Sequence, residues 1–132
     1  MIPGSDVTAG CSLLFVYGTL RRGFELHHHL TRLGARFRTK AKAAAVLIDR
    51  GRYPGALPSG RRGHWVRGEV FQLRQPVSDL RVLDKIEGFI RGAPQRSMFV
   101  RAAGEVILNN GAPQRAWIYW VGARKFTGVS HG

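Results

Sequence analysis

Cysteine is almost missing from this chain: Cys11 is the single one in 132 residues. No internal disulfide and no thiolate metal cluster can therefore form, which suits a reducing compartment, and a cytoplasmic location is expected. Long apolar runs are missing too. None approaches the roughly 20 residues that cross a bilayer as a helix, so no membrane partner is expected. Acid is scarce, with 8 Asp and Glu against 21 Lys and Arg and a net charge of +13. There is no internal repeat and no low-complexity tract. No phosphate-binding P-loop, Ser-His-Asp signature or dinucleotide fingerprint is present.

The excess of positive charge invites a nucleic-acid reading. Two features weigh against it. Of the 21 cations only Lys40, Lys42, Lys85 and Lys125 are lysines, an arginine skew that a GC-rich coding sequence produces without selection for phosphate contacts. The cations are also spread along the chain, with runs no longer than pairs such as Arg21-Arg22 and Arg61-Arg62. A phosphate-binding surface needs its charge on one face.

What is present suffices for one domain. Apolar residues make up 44% of the chain, enough for a single core. Residues 1–12 read as a flexible leader without the charged and apolar regions of a secretory signal. Residues 13–122 form the domain and 123–132 a polar tail. Within the domain, strands are expected at Leu13–Tyr17, along the apolar end of Ala35–Ile48 and at Trp65–Leu73. Arg96–Ala103 and Glu105–Leu108 read as a strand or a broken hairpin, and Arg115–Val121 as the last strand. Phe24–Leu33 and Pro76–Ile86 have helical spacing and end at Gly34 and Gly88. Residues 51–63 and 90–95 read as loops, and Asn109-Asn110-Gly111 as a tight turn. The expected class is α+β: a small mixed β-barrel of five to six strands flanked by two helices.

Few residues can carry chemistry. The run Leu14-Phe15-Val16-Tyr17 stops at Gly18-Thr19-Leu20, a buried strand entering a tight turn. At Gly18 the backbone can turn or approach a ligand without a Cβ in the way. Amide N–H groups in such a turn can hold an anion such as a carboxylate. Asp84 and Glu87 sit three apart at the end of the second helix, where the macrodipole disfavours negative charge. Leu83, Ile86 and Phe89 can desolvate Glu87, the setting of a general base. A surface carboxylate paired with arginine is the plainer alternative. Glu69, in mid-strand, is expected to pair with an arginine across strands. His27-His28-His29 point in three directions on a helix, not at the i, i+3 or i, i+4 spacing of metal ligands. No metal site is expected there; one histidine packing near the pocket fits better.

Four blocks taken in order, Phe15–Leu20, Gly51–Gly55, Val66–Phe71 and Leu83–Gly88, with the late Ala116-Trp117-Ile118-Tyr119, resemble the γ-glutamylcyclotransferase-like family. The resemblance spans residues 13 to about 121 and is most specific in the first block. It implies that Tyr17, Gly18, Thr19 and Leu20 hold a small γ-glutamyl substrate, largely through main-chain groups. Tyr53, in the second block, is expected at the substrate as well. It implies that Glu87 is the catalytic acid and base, and that 5-oxoproline is released from a γ-glutamyl amine or dipeptide without cofactor or metal. The chain departs from the family where Pro94 stands before Gln95-Arg96 in place of a tyrosine. It also carries Ser130-His131-Gly132 where the family often has Gly-Asp-Trp or Gly-Asp-Tyr. Two alternatives stay open: an inactive family member that binds a small acidic ligand, and a basic barrel associated with nucleic acid. A monomer and a homodimer both fit.

Overall fold

A computed structural model of the chain describes residues 11–18, 20–48, 55–90 and 92–122, with the backbone alone of Pro94. The elements run β1 (Leu13–Val16), α1 (His27–Leu33), β2 (Arg36–Ile48), β3 (Gly55–Pro58), β4 (Trp65–Gln72), α2 (Pro76–Glu87), a 3-10 turn (Pro94–Arg96), β5 (Phe99–Leu108) and β6 (Pro113–Val121). The sheet order is β3-β2-β4-β1-β6-β5, and a β2–β5 pairing closes it. Five strands make the barrel and β3 is an added sixth. The pairings are antiparallel except β1–β6, where Leu14 lies beside Trp117. The expected α+β mixed barrel with two helices is therefore what the chain forms. No helix among the described residues is long and apolar enough to cross a membrane.

Closure depends on β2. It pairs with β4 over Arg36–Ala44, with β5 over Ala41–Ala43 and with β3 over Ala45–Ile48. Its register shifts between Phe37 and Thr39, leaving Arg38 as a bulge. A bulge bends and twists a strand, which helps the sheet curl.

Strand alternation sorts the core into two layers. Phe15 and Tyr17 point into the barrel, with Val66, Val70, Val106 and Ile118. Ala41, Ala43, Ala45 and Ala116 supply the small side chains that so narrow a barrel requires. Leu14, Val16 and Phe71 point outward, under Leu30 of α1 and Leu80 and Leu83 of α2. Leu14, Leu30 and Leu83 are 0% exposed, and each contributes roughly 1.5–3 kcal/mol by burial. Cys11 and Ser12 already belong to this packing. The Cys11 carbonyl accepts from the Trp117 indole at 2.7 Å, and the Ser12 carbonyl accepts from the Leu73 N–H at 2.8 Å.

Two contacts fix how closely the strands approach. Gly68 of β4 lies so near β1 that a Cβ there would run into the Val16 carbonyl and the Phe15 ring. The Tyr17 hydroxyl donates to the Tyr119 carbonyl at 2.6 Å and accepts from the Ala56 N–H at 3.0 Å, pinning β3 to β6.

Some boundaries differ from the sequence reading. The first helix starts at His27, not Phe24, because successive turns closed by Arg21 and Phe24 carbonyls occupy the preceding residues. The expected loop at 51–63 contains β3. That strand has two apolar residues between glycine and proline, and proline is tolerated at the end of a strand that lies at the sheet's edge. The strand expected in two pieces is one, Phe99–Leu108: Gly104 stays in the ladder opposite Ala116, under the Ile118 and Trp120 side chains.

Replacing Gly68 with Ala should cost about 1–3 kcal/mol by overpacking, read as a lower urea midpoint. Replacing Tyr17 with Phe should cost about 1–3 kcal/mol, because the buried Ala56 N–H loses its acceptor. An unchanged midpoint in Tyr17→Phe would show that the β3–β6 bridge is dispensable.

Candidate active site

β1 runs to the barrel rim, and the last turn of α2 ends beside it. Between them lies a cavity of about 370 Å³. Tyr17, Gly18 and Leu20 line one side and Glu87 the other. The two segments singled out in the sequence thus meet. Phe15, Val16, Leu26, Ile86, Met98 and Phe99 make its walls mainly apolar, and Tyr119 and Lys85 complete it. Thr19 and Tyr53 lie outside the described residues.

The turn after β1 is built on one carbonyl. Gly18 C=O accepts both the Arg21 N–H and the Arg21 Nε–H, each at 3.1 Å. Gly18 is not among the glycines with positive φ, and a Cβ there would meet no atom within 4 Å. The turn itself does not demand glycine. What the residue provides is a wall of the cavity without a side chain. Leu20 is buried, and its carbonyl meets Nδ1 of His27 at 3.0 Å. Because a carbonyl only accepts, Nδ1 of that ring carries the hydrogen. The His27 ring also packs against Phe71, with centroids 5.6 Å apart. The first histidine of the triplet therefore pins the turn that lines the cavity. Among the described residues no group of three His, Cys, Asp or Glu is placed to hold a metal ion.

Glu87 closes α2. Gly88 follows in the left-handed region at φ 71°, and the cap N–H groups reach the Asp84 and Lys85 carbonyls. A side chain is disfavoured in that conformation, so the helix ends where Glu87 meets the cavity. At the other end, Pro76 stands in the first turn and the Asp79 carboxylate accepts the Gln75 N–H at 2.8 Å.

One helical turn before Glu87 stands Asp84, only 4% exposed. Arg101 of β5 donates from Nε to its Oδ1 at 2.7 Å and from Nη2 to its Oδ2 at 3.1 Å. The Tyr119 hydroxyl of β6 donates to Oδ1 at 2.7 Å. The Arg101 guanidinium lies 4.5 Å from the Trp117 ring centroid and 5.8 Å from that of Phe89. Burial, then the hydrogen bond and charge of Asp84, push the Tyr119 hydroxyl far above its usual range; Arg101 opposes this and Glu87 adds to it. Burial alone would lower Arg101, but the bond to Asp84 and its charge outweigh that and raise it.

The sequence reading treated Asp84 only as a neighbour of Glu87 and did not single out Arg101 or Tyr119. A signal existed. Counting back from the Asn109–Gly111 turn sets Arg101 opposite Tyr119 in an unbroken hairpin. Glu69 does bind an arginine, but not one across strands. Arg22, in the turn after β1, reaches it with its N–H at 2.9 Å and its Nε at 3.2 Å, while Lys40 is its cross-strand neighbour.

Comparison with known proteins bears on this geometry. Residues 14–131 match the family model described as gamma-glutamyl cyclotransferase, AIG2-like. The chain is 32% identical over 107 residues to the gamma-L-glutamyl-butirosin B gamma-glutamyl cyclotransferase of Niallia circulans, covering 80% of this chain and 64% of that one. It is 28% identical over 116 residues to gamma-glutamylaminecyclotransferase A of Danio rerio, covering 83% and 68%. The match thus spans a little under two thirds of the Niallia protein's length. Among solved structures, a mouse aig2-like protein superposes with a TM-score of 0.67 at 26% identity, covering 85% of this chain and 78% of that one. YkqA of Bacillus subtilis gives 0.63 at 26% identity, covering 83% and 35%. The family model accounts for nearly the whole sequence and the superpositions for the same barrel, and the chain belongs to the gamma-glutamyl cyclotransferase, AIG2-like family.

Proposed function

We propose that this chain releases 5-oxoproline from a γ-glutamyl amine or dipeptide, with Glu87 as the general base and acid that carries a proton from the attacking nitrogen to the departing one. The observation that carries the reading is the meeting of Glu87 with the Tyr17–Leu20 turn across one small, mainly apolar cavity. The relatives named gamma-L-glutamyl-butirosin B gamma-glutamyl cyclotransferase and gamma-glutamylaminecyclotransferase A support it.

The chemistry is intramolecular. Glu87 takes a proton from the substrate's α-ammonium. The freed nitrogen lone pair attacks the γ-carbonyl carbon and forms the ring C–N bond. The ring nitrogen then gives up a second proton, the bond from that carbon to the leaving nitrogen breaks, and the departing amine takes the proton returned by Glu87 together with the second one and leaves as its ammonium ion. Nucleophile and electrophile share one molecule, so the protein's task is to hold a bent conformer. Main-chain N–H groups of the turn at Gly18 and Leu20, with Thr19 between them, would hold the substrate's α-carboxylate. The Gly18 carbonyl is already committed to Arg21. Tyr17 contributes its ring to the wall while its hydroxyl bridges β3 and β6. Apolar walls keep water from competing with the amine at the carbonyl.

Glu87→Gln keeps the shape and removes the proton carrier. Release of 5-oxoproline from a panel of γ-glutamyl amines and dipeptides should fall by about 10²–10⁴-fold, with the thermal midpoint unchanged. Equal release by the two proteins would contradict the role of Glu87. No release by either from any panel member would favour a binding protein without turnover. Gly18→Ala places a methyl group in open space, so stability should change by no more than about 0.5 kcal/mol. KM should rise about tenfold if that space is where substrate lies.

A further inference from the structure

Neither Asp84 nor Arg101 lines the cavity, yet both adjoin the wall that carries Glu87. Asp84 and Glu87 are three residues apart on α2, which puts them on one helix face with Cβ atoms about 5–6 Å apart. Two like charges so placed on a helix repel each other, and negative charge at the C-terminus of a helix is disfavoured as well. Arg101 grips both oxygens of Asp84, and Tyr119 adds a third bond. A buried ion pair contributes little net stability against apolar residues of the same size. Its placement, one turn from Glu87, calls for a different explanation.

We propose that Asp84 and Arg101, with Tyr119, are positioning residues for Glu87: they lock the last turn of α2 to the barrel wall, and Arg101 cancels the charge that Asp84 sets beside the Glu87 carboxylate. The proposal rests on Glu87 as the proton carrier and adds Asp84 and Arg101, which lie outside the cavity lining, and Tyr119, which lines it. The charged and titratable groups around Glu87 among the described residues are few. α2 itself brings Asp84 and exposed Lys85, whose charge water screens. β6 brings Tyr119, held in its neutral form, and β5 brings Arg101. β1 brings Tyr17. The turn after it faces the cavity with uncharged Gly18 and Leu20, and the start of β5 does so with Met98 and Phe99. The Asp84–Arg101 pair is the oppositely charged pair that these elements bring to the end of α2 beside Glu87.

The test reads Glu87 directly and needs no turnover. The glutamates are Glu25, Glu69, Glu87 and Glu105. With carboxyl carbons labelled by ¹³C, each titrates as its own NMR signal, and Glu87 is identified by the signal missing from Glu87→Gln. Asp84→Asn leaves Arg101 uncancelled, so the Glu87 midpoint should fall by about half a pH unit or more. Arg101→Gln leaves Asp84 uncancelled, so the midpoint should rise. Arg101→Lys keeps the charge and should hold the midpoint near that of the unsubstituted protein. A midpoint that stays put in the charge-removing variants, or moves the same way in both, overturns the proposal. If Asp84→Asn does not fold, the contrast between Arg101→Gln and Arg101→Lys decides alone: a rise only in the first supports the proposal, and no difference overturns it. Failure here is separable from failure of the cyclotransferase reading. An inactive Glu87→Gln with unmoved midpoints sinks only the role of the pair. An active Glu87→Gln ends the proton-carrier reading, and the titrations still report the coupling.

Discussion

A barrel of five strands is narrow, and β1 forms part of its wall between β4 and β6. Successive side chains of a strand must face opposite ways, so β1 serves two cores at once. Phe15 and Tyr17 fill the interior beside alanines, while Leu14 and Val16 form an outer face that needs a cover. α2 supplies much of that cover with Leu80 and Leu83, and its last turn reaches the cavity at the end of β1. The cavity follows from this. A strand that leaves the barrel through the turn at Gly18, and a helix that stops at Gly88, leave a gap lined by the strand's end and the helix's last side chain.

Polar groups sharpen that arrangement. In a chain of net charge +13, three of the described acids hold elements in place. Asp79 caps the start of α2, Asp84 ties its end to β5 and β6, and Glu69 holds the turn after β1 through Arg22. Glu87 belongs to the same helix face as Asp84 and faces the cavity. Apolar packing brings α2 to the barrel; the oriented bonds at Asp84 decide which side chain meets the rim, because bidentate pairing is selective for angle as well as distance.

Much of this was legible in the sequence. Glycines at 34 and 88 marked the helix ends, and the alternation at Trp65–Gln72 marked a strand. The resemblance of four short blocks singles out Glu87 and the Tyr17–Leu20 stretch, of which Tyr17, Gly18, Leu20 and Glu87 line one cavity. The barrel's closure was less visible, since it needs β2 to pair with three strands along its length, and β3 is hidden between residues that signal turns. The use of the Tyr17 hydroxyl as a bridge between β3 and β6 depends on strands 39 and 102 residues away. The Asp84–Arg101–Tyr119 cluster needs the β5–β6 register and the rotation of α2 together. The Asn109–Gly111 turn gives the register, but local pattern does not carry the rotation of α2, and the arginine that Glu69 finds in a turn instead of a facing strand illustrates the same limit.

The account stands on a carboxylate and a peptide turn sharing one small molecule. A crystal structure of the protein with 5-oxoproline bound tests that most directly. The account predicts the ring nitrogen within hydrogen-bond distance of the Glu87 carboxylate and the product's own carboxylate against the main-chain N–H groups of the turn after Tyr17. A product bound with its ring nitrogen turned away from Glu87, or seated elsewhere on the barrel, would contradict it.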